Sequence, residues 1–225
     1  AFLSVLCLIY SIWTETALFY HKTTADFSFF YNRLLNLYDY STDDSMEKVT
    51  LKDKTFRLSI PYEKIEKAID NVASQINADF NGCEDIPVLL CVLNGSIMFT
   101  AELMKRLNFN CQVVSTKLTS YVGTSTSGNV RQAMGLTADI SGRRVIVIED
   151  IVDSGNTIVE LKRILAEKGA AESRICTLLL KPDAYKKDVK LDYVAMEIPN
   201  DFIVGFGLDY DELGRNFKDI YMLDE

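Results

Sequence analysis

The stretch Val145–Thr157, VIVIEDIVDSGNT, decides the fold of this chain. Its four β-branched residues, Val145–Ile148, predict a strand that is buried on both faces, as strands of parallel sheets are. Two acids, Glu149 and Asp150, are expected where that strand ends, and the polar loop 153–157 follows them. The pattern is therefore a strand, an acidic corner and a loop of small residues.

A helix is predicted directly after this loop, with Thr157 as a plausible N-cap and Gly169 at its end. Its apolar residues fall on one helical face: Ile158, Leu161, Ile164 and Leu165. Ligands of open parallel sheets bind at the carboxyl ends of the strands, and a helix N-terminus offers free N–H groups to an anion. We therefore expect loop 153–157 to bind a phosphate.

The acids beside the expected phosphate need a reason, because bare carboxylates repel phosphate. They suit a site that holds a divalent cation or that accepts hydrogen bonds from sugar hydroxyls. Together these features favour a phosphorylated ribose, and the alternative is a solvated acidic turn. Two other nucleotide motifs do not fit, because the P-loop pattern is missing and Gly205 with Gly207 lacks the third glycine of a dinucleotide fingerprint.

The composition is that of one globular domain with a sizeable core: 225 residues, 48% of them hydrophobic and 25% charged. A net charge of -8 argues against a general nucleic-acid binder, which normally has a basic surface. The five cysteines are odd in number and never spaced as CxxC, so we interpret them as reduced, buried residues of a cytoplasmic protein. These cysteines are Cys7, Cys83, Cys91, Cys111 and Cys176.

Residues 1–45 differ from the rest of the chain, because they hold 11 of the 24 aromatic residues, including the only Trp, Trp13. A signal peptide would need a basic start and a small-residue cleavage site, and an apolar membrane anchor would need about 18 residues. Met46 precedes an ordinary domain start. We expect residues 1–45 to lie outside the native domain, with an anchor, a leader or a genuine appendage as alternatives, and residues 46–225 to form the functional domain.

The first half of this domain reads as alternating strands and helices. One or two short strands are predicted over Val49–Ile60, followed by a helix with Pro61 at its first position. Val88–Leu93 predicts the next strand, and Asn94–Ser96 opens a second helix, which makes this turn a second possible anion site. The expected buried stripe of the second helix is Ile97, Ala101, Met104 and Leu107.

Two later segments are candidates for the functional site. After a strand over Cys111–Leu118, the Ser/Thr/Gly-rich stretch Ser120–Asn129 is either a plain linker or a lid that excludes water, and Met134–Ile140 is the expected return strand. Ile175–Leu180 predicts another buried strand, which would bring Lys181 to the same edge of the sheet as the acids.

The loop and its flanks closely resemble the 5-phosphoribosyl-1-pyrophosphate (PRPP) motif of type I phosphoribosyltransferases. Four stretches, in order, resemble the hypoxanthine (hypoxanthine-guanine) phosphoribosyltransferase branch of that group. They are VLNGS at 92–96, LTSYVG at 118–123, VIVIEDIVDSGNT at 145–157, and LLLK at 178–181 with FIVGFGLDYDELGR at 202–215. The resemblance implies an α/β fold of the type I phosphoribosyltransferase kind, with a central, mostly parallel sheet flanked by helices, a small hood subdomain and a flexible lid loop.

The resemblance also implies roles for the PRPP-binding residues. The 5-phosphate would be held by Asp153, Ser154, Gly155, Asn156 and Thr157. Glu149 and Asp150 would meet the ribose hydroxyls, directly or through Mg²⁺. Asn94, Gly95 and Arg215 would bind pyrophosphate, the first two through a non-proline cis peptide.

The remaining roles concern chemistry and the purine. Asp153 would be the general base near purine N7. Lys181 would donate to the exocyclic O6, Phe202 would stack on the base, and the Ile203 backbone would read its edge. Asp209 would serve the metal and the purine site, and Ser120 and Tyr121 would close over the reaction centre.

The implied reaction is purine salvage, in which PRPP and a 6-oxopurine give a nucleotide and pyrophosphate. The implied protein is a homodimer or homotetramer in the cytoplasm, with small-molecule substrates and with neither nucleic acid nor membrane as a partner of the domain. Two positions depart from several relatives, which carry Lys where this chain has Asn94 and Asn156. The alternatives are a non-catalytic protein that senses PRPP or nucleotides and, less favoured, a phosphoacceptor domain.

Overall fold

The computed structural model of the chain describes residues 48–83, 85–120 and 130–224. All of them belong to one compact unit, Met46–Glu225. The described residues form ten strands and three helices. The strands are β1 (Lys48–Leu51), β2 (Lys54–Ile60), β3 (Val88–Leu93), β4 (Gln112–Ser120), β5 (Val130–Met134), β6 (Arg144–Val152), β7 (Glu172–Leu180), β8 (Tyr193–Glu197), β9 (Ile203–Val204) and β10 (Ile220–Leu223). The helices are α1 (Tyr62–Asp79), α2 (Ile97–Met104) and α3 (Asn156–Glu167).

The larger sheet has six strands in the order β5-β4-β3-β6-β7-β8. Every neighbouring pair is parallel except β4 with β5, so the predicted mostly parallel sheet is confirmed. The β-branched run of β6 is buried on both faces because alternate residues enter different cores. Ile146 and Ile148 pack towards α1 and α2, whereas Val145 and Val147 pack towards α3.

The smaller sheet, called the hood here, is antiparallel and has the order β1-β2-β10-β9. Its own small core consists of Leu51, Phe56, Val204 and Tyr221, with further apolar residues packed against it. The hood is tied to α1 through the buried Asp219, whose carboxylate accepts the N–H of Tyr62 at 2.7 Å. That bond satisfies one of the free N–H groups at the start of α1, where Pro61 is the N-cap and not the first helical residue.

The central motif differs from expectation in where its strand ends and its helix begins. β6 continues through Glu149 and Asp150 to Val152. Its pairing with β3 stops at Ile148, but its pairing with β7 continues to Val152, and this one-sided pairing keeps the acids in extended backbone. The N-cap of α3 is Gly155 and not Thr157, because Gly155 has the left-handed φ of 80° that turns the chain into the helix.

Two further predictions were wrong in detail. The side of α2 that packs on the core carries Phe99, Thr100 and Leu103, whereas Ile97 is 53% exposed and Met104 is 37% exposed. The strand after the candidate lid is Val130–Met134, and the expected strand over residues 134–140 is absent from the described chain. The apolar residues of α2 are spaced so that either of two helical faces could be buried. The face that packs on the sheet is the one that carries the bulky Phe99.

The helices of the described residues are confined to the two faces of the larger sheet. None of those helices is both long and apolar enough to cross a membrane. The four cysteines that the structure describes are free thiols, and the expected burial holds for Cys91 and Cys176, whereas Cys83 and Cys111 are only half-buried.

Candidate active site

Two turns that lie far apart in sequence meet the acids near the carboxyl end of β6. The Oδ2 atom of Asp150 lies 1.5 Å from the position that a Cβ on Gly95 would occupy. A Cβ on Gly207 would in turn lie 1.9 Å from the carbonyl oxygen of Gly95. Both glycines are therefore required by close approach of backbone and carboxylate, and they bring the 94–96 turn, the acids of β6 and the 205–207 turn together.

The two acids of β6 are held in an environment that disfavours their charge. Glu149 is only 5% exposed, and burial, followed by the neighbouring charge of Asp150, raises its pKa well above the usual value. Burial also raises the pKa of Asp150 to about 6, although hydrogen bonds from backbone N–H groups and the positive charge of Arg215 act in the opposite direction. Such a pair is suited to receive a cation or hydrogen-bond donors from a ligand.

The 205–215 segment places a cation beside these acids. Arg215 forms an ion pair with Asp209 at 2.7 Å and donates a second hydrogen bond, also 2.7 Å long, to the carbonyl oxygen of Gly207. Asp209 in addition accepts the N–H of Glu212 at 2.7 Å. The guanidinium is therefore fixed on two sides, and it lies close enough to Asp150 to influence its charge.

Asp153 and Lys181 lie together, as expected from their positions after β6 and β7. Their Oδ2 and Nζ atoms are 3.6 Å apart, and the backbone N–H of Lys181 donates to the carbonyl oxygen of Val152 at 3.0 Å. The lysine side chain is 11% exposed and the aspartate side chain 54% exposed. The lysine thus forms the inner part of the pair, and the aspartate faces a position that a substrate can reach.

The N-terminus of α3 has the form of an anion site. No side chain caps it, and its first turn carries no acid, so no capping side chain competes with an anion for the N–H groups of that turn. Above Gly155 lie the ring of Tyr185 and the aliphatic stem of Lys187, at 2.4 and 2.9 Å from where a Cβ would be. Close approach and a left-handed φ both require glycine at this turn.

Phe202 leads into β9 of the hood and is 45% exposed, which is unusual for a phenylalanine in a small domain. Its ring centroid lies 6.0 Å from that of the fully buried Phe56 and 5.9 Å from that of Tyr210. The next residue, Ile203, is buried and pairs with Met222 of β10. The hood thus presents one aromatic face to solvent.

The sequence pattern of the phosphoribosyl transferase domain family matches residues 61–211. The chain belongs to the phosphoribosyltransferase family. It is 36% identical over 176 residues to a hypoxanthine-guanine phosphoribosyltransferase of Streptococcus pneumoniae, covering 78% of this chain and 97% of that relative. It is 40% identical over 168 residues to the enzyme of the same name from Mycobacterium tuberculosis, covering 72% of this chain and 83% of that relative.

Solved phosphoribosyltransferase structures resemble the chain to the same degree. A hypoxanthine-guanine phosphoribosyltransferase of Bacillus anthracis is 34% identical, with a TM-score of 0.70 over 74% of this chain and 98% of that one. A hypoxanthine phosphoribosyltransferase of Trypanosoma cruzi is 31% identical, with a TM-score of 0.71 over 78% of this chain and 95% of that one. The predicted family and fold are therefore confirmed, and the chain is a phosphoribosyl-transferring enzyme.

The acids of this phosphoribosyltransferase fit a metal that arrives with its substrate. In the part of the chain that the structure describes, no three His, Cys, Asp or Glu side chains converge as a complete metal site. Mg²⁺ usually takes only one or two carboxylates and completes its shell with water and substrate phosphates. The predicted ligands Glu149 and Asp150 match that number of carboxylates, and the third predicted ligand, Asp209, forms an ion pair with Arg215.

The other predicted residues of the phosphoribosyltransferase site are distributed as follows. Asn94 is exposed at the start of the turn, and the Leu93–Asn94 peptide is cis, as the resemblance implied. Ser120 ends β4, and only its backbone is described, while Tyr121 lies outside the described residues. The structure therefore does not test the lid.

Sequence reasoning missed the parts played by Gly207 and Tyr210. The Gly205–Gly207 pair was considered only as an incomplete dinucleotide fingerprint, although Gly207 packs on Gly95. Tyr210 lies in the acid-rich stretch LDYDEL at 208–213 and was assigned no role, although its ring meets Phe202 edge-on at an interplanar angle of 89° and its hydroxyl donates to Asp53. Tertiary contacts identify Gly207 and Tyr210, because Gly95 and Asp53 lie far from them in sequence.

Proposed function

We propose that the protein transfers the 5-phosphoribosyl group of PRPP to N9 of a 6-oxopurine, hypoxanthine or guanine, and releases pyrophosphate. One observation carries the proposal: Lys181 and Asp153 stand 3.6 Å apart beside the open N-terminus of α3. A phosphate site, a carboxylate and a buried lysine within one small region match the needs of PRPP and an oxygen-bearing base. The names of the relatives support the same substrate class.

The 5-phosphate is bound by loop 153–157. The free N–H groups at the start of α3 donate to the phosphate oxygens, and the positive end of the helix dipole favours their charge. The hydroxyls of Ser154 and Thr157 add donors. Asn156 contributes no charge, so this part of the site relies on N–H and O–H groups.

The acids of β6 and Arg215 bind the ribose and the pyrophosphate. Glu149 and Asp150 accept hydrogen bonds from the ribose hydroxyls or hold Mg²⁺ that arrives with PRPP, and bound Mg²⁺ offsets charge on the pyrophosphate. Asn94 and Gly95 contribute the backbone of their turn to the pyrophosphate. Arg215, fixed by Asp209, stabilises the charge that grows on the leaving group as its bond to ribose C1 breaks.

The purine lies between Lys181 and Phe202. The Lys181 ammonium donates to O6 of hypoxanthine or guanine, whereas the 6-amino group of adenine offers no equivalent acceptor. Phe202 stacks on the base, and the backbone at Ile203 reads its edge. As the bond from N9 to ribose C1 forms, the base develops positive charge, and Asp153 accepts the proton from N7.

Three broader features belong to the same proposal. Residues 46–225 are the catalytic domain, and residues 1–45 contribute nothing to the chemistry. Ser120 and Tyr121 belong to a lid that excludes water from the reaction centre. The enzyme acts as a cytoplasmic homodimer or homotetramer.

Nucleotide formation by purified residues 46–225 tests the proposal. The domain is given PRPP and Mg²⁺ with hypoxanthine, guanine, xanthine or adenine in separate reactions, and the nucleotides are separated by chromatography. Inosine and guanosine monophosphates are expected, with adenine inert. No product from any base, despite measurable PRPP binding, would contradict the proposal and favour a nucleotide-sensing protein on the same fold.

A further inference from the structure

The exposed ring of Phe202 is held by two other aromatic rings of the hood. Phe56 lies beneath it with its centroid 6.0 Å away, and Tyr210 meets it edge-on at 5.9 Å. Phe56 and Tyr210 also contact each other at 6.1 Å, so the three rings form a closed triangle. Edge-to-face pairs at these distances are energetically favourable and restrict the angle between rings.

Tyr210 is itself fixed from three directions. Its hydroxyl donates to Oδ1 of Asp53 at 2.8 Å, and Asp53 lies in the turn between β1 and β2. Its backbone exchanges two hydrogen bonds with Leu213, 2.9 and 3.1 Å long. The Nζ atom of Lys54 lies over its ring, 5.6 Å from the centroid. The ring against Phe202 is therefore held by both the 205–215 segment and the β1–β2 turn.

The β1–β2 hairpin lies outside the region that the chain shares with phosphoribosyl transferase domains in general. That region is 61–211, so it includes Phe202 and Tyr210 but neither Phe56 nor Asp53. Two of the groups that fix the exposed ring thus come from the β1–β2 hairpin, which precedes the stretch matched by the family pattern. The hairpin also contacts Phe202, the residue proposed to stack on the base, through Phe56.

We propose that Tyr210, anchored by Asp53, is a positioning residue that holds the Phe202 ring ready to stack on the purine. This inference rests on the function proposed above and assigns part of the purine affinity to the β1–β2 hairpin. A free phenylalanine at 45% exposure has several accessible rotamers and loses that freedom when a base stacks on it. A ring that is already oriented avoids this loss, so Tyr210 favours purine binding without contacting the purine.

The test is steady-state kinetics of the full chain with hypoxanthine and PRPP varied in turn. Tyr210→Ala removes the edge contact with Phe202. We expect the KM for hypoxanthine to rise about 2- to 10-fold, which corresponds to the usual interaction energy of one aromatic pair. The KM for PRPP should stay within about 2-fold, because the ring contacts Phe202 and the β1–β2 hairpin, which are proposed to act on the purine side of the site. Tyr210→Phe keeps the ring but loses the hydroxyl that binds Asp53, so its KM for hypoxanthine should lie between those of the unmodified chain and of Tyr210→Ala.

A matched control and a double substitution separate positioning from general damage to the hood. Phe217→Ala removes a ring that pairs with Tyr221 at 5.5 Å and is not one of the three rings in the Phe202 cluster. This change should lower stability without a selective loss of purine affinity. In a Phe202→Leu background, Tyr210→Ala should have no further effect on the KM for hypoxanthine.

The outcomes distinguish this inference from the proposed function. If the unmodified chain makes no inosine monophosphate, the proposed function fails before any variant is compared. If it does, equal changes in both KM values for Tyr210→Ala would overturn the positioning role. An undiminished effect of Tyr210→Ala in the Phe202→Leu background would overturn it as well.

Discussion

Gly155→Ala should destabilise the protein for two reasons that can be measured separately. A left-handed backbone costs a residue with a Cβ about 1–2 kcal/mol, and Gly155 has a φ of 80°. The new Cβ would also lie 2.4 Å from the Tyr185 ring, and overpacking of this kind costs about 1–3 kcal/mol. The free energy of unfolding should therefore fall by about 2–5 kcal/mol, as measured by urea denaturation with an unchanged slope.

Gly142 provides the matched control for this change. Its φ is 69°, close to that of Gly155, but nothing lies within 4 Å of where its Cβ would be. Gly142→Ala should therefore show the backbone cost of about 1–2 kcal/mol alone. A double-mutant cycle with Tyr185→Ala should assign the remaining loss at position 155 to the ring. Equal losses from Gly142→Ala and Gly155→Ala would refute the argument from close contact.

Gly155→Ala should also weaken PRPP binding more than purine binding. The displaced turn moves the N–H groups at the start of α3, which are the proposed donors to the 5-phosphate. Isothermal titration with PRPP and Mg²⁺ measures this directly at a temperature where the variant is folded. If a folded Gly155→Ala variant binds PRPP with unchanged affinity, loop 153–157 does not bind the 5-phosphate.

Three further predictions concern the acids and the lysine. Asp153→Ala should slow the chemical step by about 10²- to 10⁴-fold in a single-turnover assay, because it removes the proposed base. Lys181→Met should lower kcat/KM for hypoxanthine by at least about 10-fold and reduce its advantage over adenine, as measured with the two bases in competition. Asp150→Asn should raise the free energy of unfolding of the substrate-free, chelator-treated protein by about 1–3 kcal/mol at pH 7.5, while lowering its activity.

The pH dependence of the Asp150→Asn effect follows from the direction of the pKa shift. Burial raises the folded-state pKa of Asp150 to about 6 from a usual 3.8, so the folded protein holds this proton more tightly than the unfolded chain. The stabilising contribution is present below pH 3.8 and is lost as the pH rises to about 6. The advantage of Asp150→Asn should therefore grow across that window and remain constant above it. A constant difference from pH 4 to 8 would contradict this account.

The other two variants have their own controls. Asp183→Ala, which changes an exposed acid two residues beyond Lys181, should leave turnover within about 2-fold of the unmodified chain. Unchanged single-turnover rates in Asp153→Ala would exclude that residue as the base. An unchanged preference for hypoxanthine in Lys181→Met would assign base selection to another group.

The parallel sheet and the order of strand, loop and helix around residues 153–157 could be predicted from sequence, because both depend on local patterns. The run Val145–Ile148 is buried on both faces, and a helix follows the loop, although its N-cap is Gly155 and not the predicted Thr157. The pairing of Asp153 with Lys181 also followed, since the carboxyl ends of neighbouring parallel strands lie at one edge. These inferences needed only strand direction and strand order.

Other features could not be predicted, because they depend on which surfaces meet. The position of Glu149 inside β6 is decided by pairing with β7, and no residue of β6 itself signals it. The buried face of α2 depends on the sheet beneath it, and the apolar spacing allowed Ile97 on the core face as readily as Phe99. The contact between Tyr210 and Asp53 joins the two ends of the domain, and no local pattern encodes it.

The two halves of the proposed site therefore differ in how they are held. The PRPP half consists of acids in a regular strand and glycines in close contact with neighbouring backbone, so most substitutions there should disturb binding and folding together. The purine half is an exposed ring supported by a small four-residue core and by the β1–β2 hairpin. Because that support is local, changes at Asp53 or Tyr210 can alter how a base is held while the parallel sheet stays intact. Purine affinity should therefore be the property of this enzyme that changes most readily without loss of the fold, and the β1–β2 hairpin is the segment through which it would change.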